Sequence, residues 1–253
     1  MLKLIPTALV FCILSFSESQ LTKNQFPTLY IWSVGQGSWA TAVEGRVCYH
    51  FDMGGEKTTF KKIKKLCGHR KNFLMISHSD KDHISFIWWG LKNLPHLCLL
   101  TTPRETLTAY AKKTLSQISA CRNSTAKNIM FQELQFQPQV VTDKNYLSRV
   151  FVLRGARRDV LIPGDSTSEA EKLWVSKISP EFSIKLLLLG HHGSRTSTSD
   201  ILVKKLQPAL KFAVASARKR RYGHPHPIVI DRLKSNGVSA TSTETWGTII
   251  YEL

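Results

Sequence analysis

The chain has 253 residues, of which 42% are apolar and 21% charged. This excludes a disordered chain and a mini-domain that cannot build its own core. Thirty-five Lys and Arg against 18 Asp and Glu leave a net charge of +17. A surface that basic points to a polyanionic partner, whether nucleic acid, acidic lipid or acidic polysaccharide.

Residues 1–20 read as a targeting segment. Lys3 supplies a positive start, "LIPTALVFCILSF" an apolar stretch and "SFSES" small residues for cleavage. The apolar stretch is shorter than the roughly 20 residues a spanning helix needs. The expectation is a cleaved secretory signal over 1–20, one domain over 21–253, export to the periplasm or extracellular space, and no membrane-spanning segment after cleavage. Cleavage leaves Cys48, Cys67, Cys98 and Cys121, which allow three disulfide pairings. Cys48 and Cys98 lie in strand-like runs and read equally well as small core residues.

"LYIWSV" (29–34) is a predicted strand, followed by a "GQG" turn. "WATAVEG" and "RVCYHFD" form a hairpin around Gly45, and "MGG" breaks the chain after Asp52. "TFKKIKKL" (59–66) has helical spacing, with its lysines on a solvated face. "NFLMIS" is a buried strand, "ISFIWWGLKNL" (84–94) a helix, "LCLLT" a strand and "RETLTAYAKKTLSQI" (104–118) an amphipathic helix. Residues 120–149 hold one or two edge strands. "VFVLRG" and "DVLIP" pair around "ARR", and a helix follows from Ser168 to Ile178. "IKLLLLG" is a strand, "HHGSRTSTS" a loop and "DILVKKL" a helix. "LKFAVAS" is a strand, "RKRRYGHPHP" a basic loop, "IVIDRLKSNG" a helix ending at Gly237, and "VSATST" and "GTIIYEL" the final strands.

Asp52, His78, Asp165 and His191 each follow a strand, and strand ends converge at one rim of a sheet. Strands first, then helix–strand alternation, in two halves, predict an α/β sandwich: two mixed sheets face to face with helices outside. In "SHSDKDH" (77–83), His78, Asp80, Asp82 and His83 offer imidazole nitrogen and carboxylate oxygen, both ligands for divalent transition metals. So many donors in one turn suit two adjacent ions, which need a shared carboxylate or hydroxide. Asp165 in "PGDS" is placed to bridge, with Gly164 allowing close backbone approach. His191 and His192 close the second position.

"HSDKDH", "PGDS" and "GHHGS" in that order resemble the metallo-β-lactamase superfamily, as an H-x-D-x-D-H version of its H-x-H-x-D-H motif. More narrowly, "SVGQGS" (33–38), "FDMGG" (51–55) and "RYGHPHP" (221–227) make the chain similar to the metallo-hydrolase domain of ComEC/Rec2 competence proteins. Ser33 and Ser38 stand where that pattern has aspartates, and the membrane-channel portion of those proteins is absent from this sequence. The resemblance implies an αββα metallo-β-lactamase-like sandwich and a metal-dependent hydrolase, first of all a phosphodiesterase acting on DNA through metal-activated hydroxide. It implies two divalent ions, Zn²⁺ or Mn²⁺: His78 and Asp80 on one, Asp82, His83 and His192 on the other, Asp165 between. Asp82, His191 and His224 are the expected catalytic residues. His191 serves as phosphate contact or proton donor. Arg218, Arg220, Arg221 and His224 are expected to grip DNA or another phosphate-bearing polyanion. The alternatives are a phosphoesterase of cell-wall or lipid polymers, and a non-catalytic DNA-binding relic of the fold.

Overall fold

The computed structural model describes residues 27–57, 59–121, 131–137, 143–156 and 158–253. The expected signal over 1–20 lies outside the described residues. Two six-stranded sheets form. One has β1 (Thr28–Ile31), β2 (Ala40–Glu44), β3 (Val47–Phe51), β4 (Lys71–Met75), β5 (Cys98–Thr101) and β12 (Ile249–Glu252), in the order β12-β1-β2-β3-β4-β5. The other has β6 (Phe131–Glu133), β7 (Phe151–Leu153), β8 (Asp159–Ile162), β9 (Ile184–Leu188), β10 (Phe212–Ala215) and β11 (Ser239–Ser242), in the order β11-β10-β9-β8-β7-β6. Each sheet is part antiparallel and part parallel. The parallel pairs are β3–β4, β4–β5, β8–β9, β9–β10 and β10–β11.

Period-two alternation fixes the layers. Tyr49, Phe51, Phe73 and Met75 on one sheet meet Val160, Ile162, Leu186 and Leu188 on the other, forming the central core. Their neighbours Cys48 and Leu74 point outward into a second core with Trp39, Ile63, Ile87 and Trp89, while Leu161 and Leu187 join a third with Trp174, Leu202 and Val229. Helices supply the outer surfaces of both. Strands buried on both faces explain apolar runs too continuous to show alternation clearly in the sequence. The expected two-sheet sandwich with outer helices is what the chain forms.

The helices are shorter than their spacing predicts. The one expected over 104–118 covers Ala109–Leu115, with Thr108 accepting from the Ala111 amide as its cap. The one expected over 84–94 divides into Lys81–Ile84 and Ile87–Asn93, so a helical turn begins inside the "SDKDH" stretch. The basic loop contains a helical turn, Lys219–Tyr222, and the "GHHG" loop is a tight 3₁₀ turn. Among the described residues of 120–149, one edge strand forms, β6.

The four cysteines are paired, Cys48 with Cys67 and Cys98 with Cys121. The reading of Cys48 and Cys98 as plain core residues is therefore corrected: Cys48 ties β3 to the helix Phe60–Cys67 on its outer face, and Cys98 ties β5 to the Ser119–Cys121 segment hydrogen-bonded along its edge. Closing loops 19 and 23 residues apart contributes about 3 kcal/mol each by chain entropy. Among the described residues no helix is long and apolar enough to cross a membrane. In native, unreduced protein, iodoacetamide should therefore label none of these four cysteines, and reduction should lower the denaturation midpoint. Labelling before reduction would contradict the pairing.

Candidate metal centre

The parallel strands β3, β4, β8, β9 and β10 all point toward one rim, and the loops leaving them meet there. Asp52, directly after β3, has a left-handed backbone with φ 56°. Its carboxylate accepts from the Ser77 amide at 2.7 Å, the Ser77 hydroxyl at 2.8 Å and His83 Nδ1 at 2.8 Å. With the Ser77 proton given to Asp52, Ser77 Oγ accepts from His78 Nδ1 at 3.0 Å. Both rings are thereby oriented with Nε2 as the free ligand atom, as a metal-binding imidazole requires.

The glycine motifs form the back wall. Ser38 N–H donates to the Asp82 carbonyl at 3.0 Å, and Met53 N–H to the His83 carbonyl at 2.7 Å. A Cβ on Gly54 would lie 2.2 Å from the Asp82 carbonyl oxygen and 2.5 Å from the His83 nitrogen. Only glycine permits that approach. Ser38 thus acts through its backbone, while the Ser33 hydroxyl donates to the Thr243 carbonyl at 3.1 Å.

The loop after β8 turns at Gly164, with φ 57°, where a Cβ would meet Ser77 Cβ at 2.6 Å. Asp165 N–H donates to Ser148 Oγ at 3.2 Å. The next residue, Ser166, accepts from the indole of fully buried Trp174 at 2.8 Å, which anchors the loop to the core. After β9, His191 (φ 46°, ψ 47°) and His192 (φ 57°, ψ 17°) are both left-handed. His192 Nδ1 donates to the Ser216 carbonyl at 2.8 Å, beyond β10, leaving Nε2 directed inward.

Four imidazoles surround the Asp165 carboxylate. His83 Nε2 lies 3.2 Å from Oδ1, and Nε2 of His78, His191 and His192 lie 3.8, 3.8 and 3.6 Å from Oδ2. His192 Nε2 is also 3.1 Å from Asp82 Oδ2. Two sets of donors come within 4.8 Å of one another: His78, His83 and Asp165, and Asp82, His83 and His192. Nε2 of His78 and of His83 are buried without a hydrogen-bond partner. Buried polar atoms are nearly always satisfied, so this donor set fits divalent cations. Asp80 lies outside both sets. Its Oδ2 is 3.5 Å from His78 Nε2, but Oδ1 accepts from the Lys144 ammonium, 64 residues on.

The electrostatics follow from this crowding. Burial would raise Asp165, yet His83 and His192 hold its carboxyl well below the usual range. Burial would lower His83, but Asp165 and Asp52 hold it well above its ordinary value; Asp165 and Asp82 likewise outweigh burial to raise His192. Asp82 is lowered by His192 and His83 against burial, and Asp80 is lowered to about 2, chiefly by His78 and also by Lys144. Burial lowers His191 and His224, helped by neighbouring imidazoles.

His191 is 31% exposed on the open side. Its ring centroid is 6.2 Å from that of His224. His226 caps the helix Pro227–Ser235, Nδ1 accepting from the Ile228 amide at 3.2 Å. The arginines expected to grip a polyanion are partly engaged within the protein. Arg218 and Arg221 bond Glu56 at 2.9 and 3.2 Å, the Tyr222 hydroxyl donates to it at 2.7 Å, and Arg220 is exposed. A carboxylate at their base already engages two of the three arginines. Sequence reading left Ser77, Ser216, Lys144 and Glu56 without roles and gave Asp52 none beyond its strand end.

Metal uptake should release protons, because His83 and His192 hold theirs above the ordinary imidazole range. Affinity should rise with pH, and calorimetry in buffers of different ionisation heat should count the protons; zero release would contradict the protonated cluster. Gly54→Ala should push the Asp82–His83 backbone outward and weaken metal affinity about 10- to 100-fold, read by equilibrium dialysis on protein of native circular dichroism.

No protein-family model matches the chain. Recombination protein 2 of Haemophilus influenzae is 28% identical over 176 residues, 70% of this chain and 21% of that protein. Competence protein ComA of Neisseria gonorrhoeae is 30% identical over 246 residues, 94% of this chain and 34% of that protein. The chain spans only 21–34% of the length of the curated relatives it matches. Among solved structures, CmlA, a diiron β-hydroxylase from Streptomyces venezuelae, aligns with TM-score 0.55 at 13% identity, over 90% of this chain and 54% of that one. The metallo-β-lactamase fold protein YhfI from Bacillus subtilis aligns with TM-score 0.54 at 13% identity, over 90% of this chain and 100% of that one.

Proposed function

We propose, from the chain's homology to competence proteins and its metallo-β-lactamase fold, that it is an exported two-metal phosphodiesterase that cleaves DNA. The observation that carries the reading is the buried Asp165 carboxylate among four inward-facing imidazoles, with Asp82 beside it. Asp82, His83 and His192 would hold one ion, His78 and Asp80 the other, and Asp165 would serve both. Two such ions lower the pKa of bound water toward about 7 and neutralise phosphate charge.

The protein's own groups supply the rest. Asp52 and the Ser216 carbonyl fix the tautomers of His83 and His192. His191 and His224 sit side by side on the open face, and burial keeps both neutral near pH 7. Each can donate a ring N–H to a non-bridging phosphate oxygen. Exposed Arg220 and the net charge of +17 favour a long anionic substrate over a small neutral one. Two disulfides suit an oxidising compartment and so support export.

Purified protein supplied with Mn²⁺ or Zn²⁺ should degrade DNA and hydrolyse bis-p-nitrophenyl phosphate but not a β-lactam. Asp82→Ala and Asp165→Ala should each cost about 10³-fold in rate, and His224→Ala about 10²-fold with metal content unchanged. Full DNA cleavage by the Asp82/Asp165 double variant would overturn the assignment.

A further inference from the structure

Asp80 lies in the metal-capable turn yet belongs to neither compact donor set. Its Oδ1 is held by the Lys144 ammonium. The lysine does not arrive there as a loose surface side chain. Its segment is fastened to both metal-bearing loops: Arg149 N–H donates to the Ser77 carbonyl at 2.9 Å, and Ser148 Oγ accepts from Asp165 N–H at 3.2 Å. Between them the chain coils, with Leu147 N–H on the Lys144 carbonyl and Ser148 N–H on the Asn145 carbonyl, both at 3.1 Å. Tyr146 packs against the apolar core. The backbone that places Lys144 is thus the same backbone that spaces the two loops.

Ligand counting then matters. His83 Nδ1 is committed to Asp52, so one nitrogen, Nε2, remains. Serving Asp82 and His192, it completes one position. The other position is left with His78 and the shared Asp165, and Asp80 is the third ligand within reach of His78, 3.5 Å away. That third ligand is the carboxylate Lys144 neutralises.

Resting on the two-metal reading, we propose that Lys144 is an internal competitor for the His78–Asp80–Asp165 position, so that the two ions bind unequally. The Asp82–His83–His192 position fills first. The second ion must displace the ammonium from Asp80, and because the pair is about one-third exposed on each side, 31% for Asp80 and 35% for Lys144, the ammonium can swing into solvent when displaced.

The test is Mn²⁺ titration of the metal-stripped full chain by calorimetry. Wild type should show one tighter and one weaker equivalent. Lys144→Met should tighten the weaker one about two- to five-fold, the scale of a partly exposed ion pair, and leave the tighter one unchanged. Lys144→Arg, which keeps the charge, should retain the wild-type inequality, and Asp82→Ala should abolish the tighter equivalent. Unchanged constants in Lys144→Met, or a weakened second equivalent, would overturn the competition while leaving the metal centre intact. Absence of Mn²⁺ binding by wild type would overturn the centre and the competition together. Native circular dichroism of Lys144→Met, with Lys144→Arg as the charge-retaining control, separates charge competition from misfolding.

Discussion

A carboxylate buried among imidazoles is the constraint around which the molecule is organised. Removing a carboxylate from water is costly unless opposite charge and hydrogen bonds meet it at once. Asp165 is 4% exposed, and its compensation comes from His83 and His192, with His78 and His191 close by. Those partners stand on loops from both sheets. The central apolar core presses the two sheets together, and so it also brings the compensating charges to the carboxylate. Packing and chemistry here are one requirement.

Part of that arrangement stores backbone strain. Asp52, His191 and His192 are non-glycine residues at positive φ, each costing on the order of 1–3 kcal/mol. Each is held by specific bonds: Asp52 by Ser77 and His83, His191 through its amide on the Gly164 carbonyl at 3.1 Å, and His192 by Ser216. The strain turns successive side chains, His191 and His192, toward the same carboxylate, which an extended chain with alternating faces cannot do.

Much of this was legible before any coordinates. The strands announced themselves by apolar runs such as "NFLMIS" and "IKLLLLG", and the donors by their place directly after those runs. Helical spacing runs from 104 to 118, but Thr108 supplies a cap that begins the helix only at Ala109. The contacts missed were those between polar residues far apart in sequence. Lys144 and Asp80 are separated by 64 residues, and Arg218 and Glu56 by 162. Neither pair leaves a periodic or motif-like trace, so charge alone read as a free basic surface. The cysteines were ambiguous for a related reason: a strand cysteine looks the same whether it fills space or bonds a crossing segment.

The two bridges also divide the molecule unequally. Both lie in the first half of the chain, tying β3 and β5 to the segments beside them, while among the described residues the half carrying Asp165 and the histidine pair has no disulfide and coheres by its apolar core and hydrogen bonds. A mildly reducing environment would therefore loosen one layer and spare the other. Since the donors are divided between the layers, the cluster exists only while the two halves remain docked.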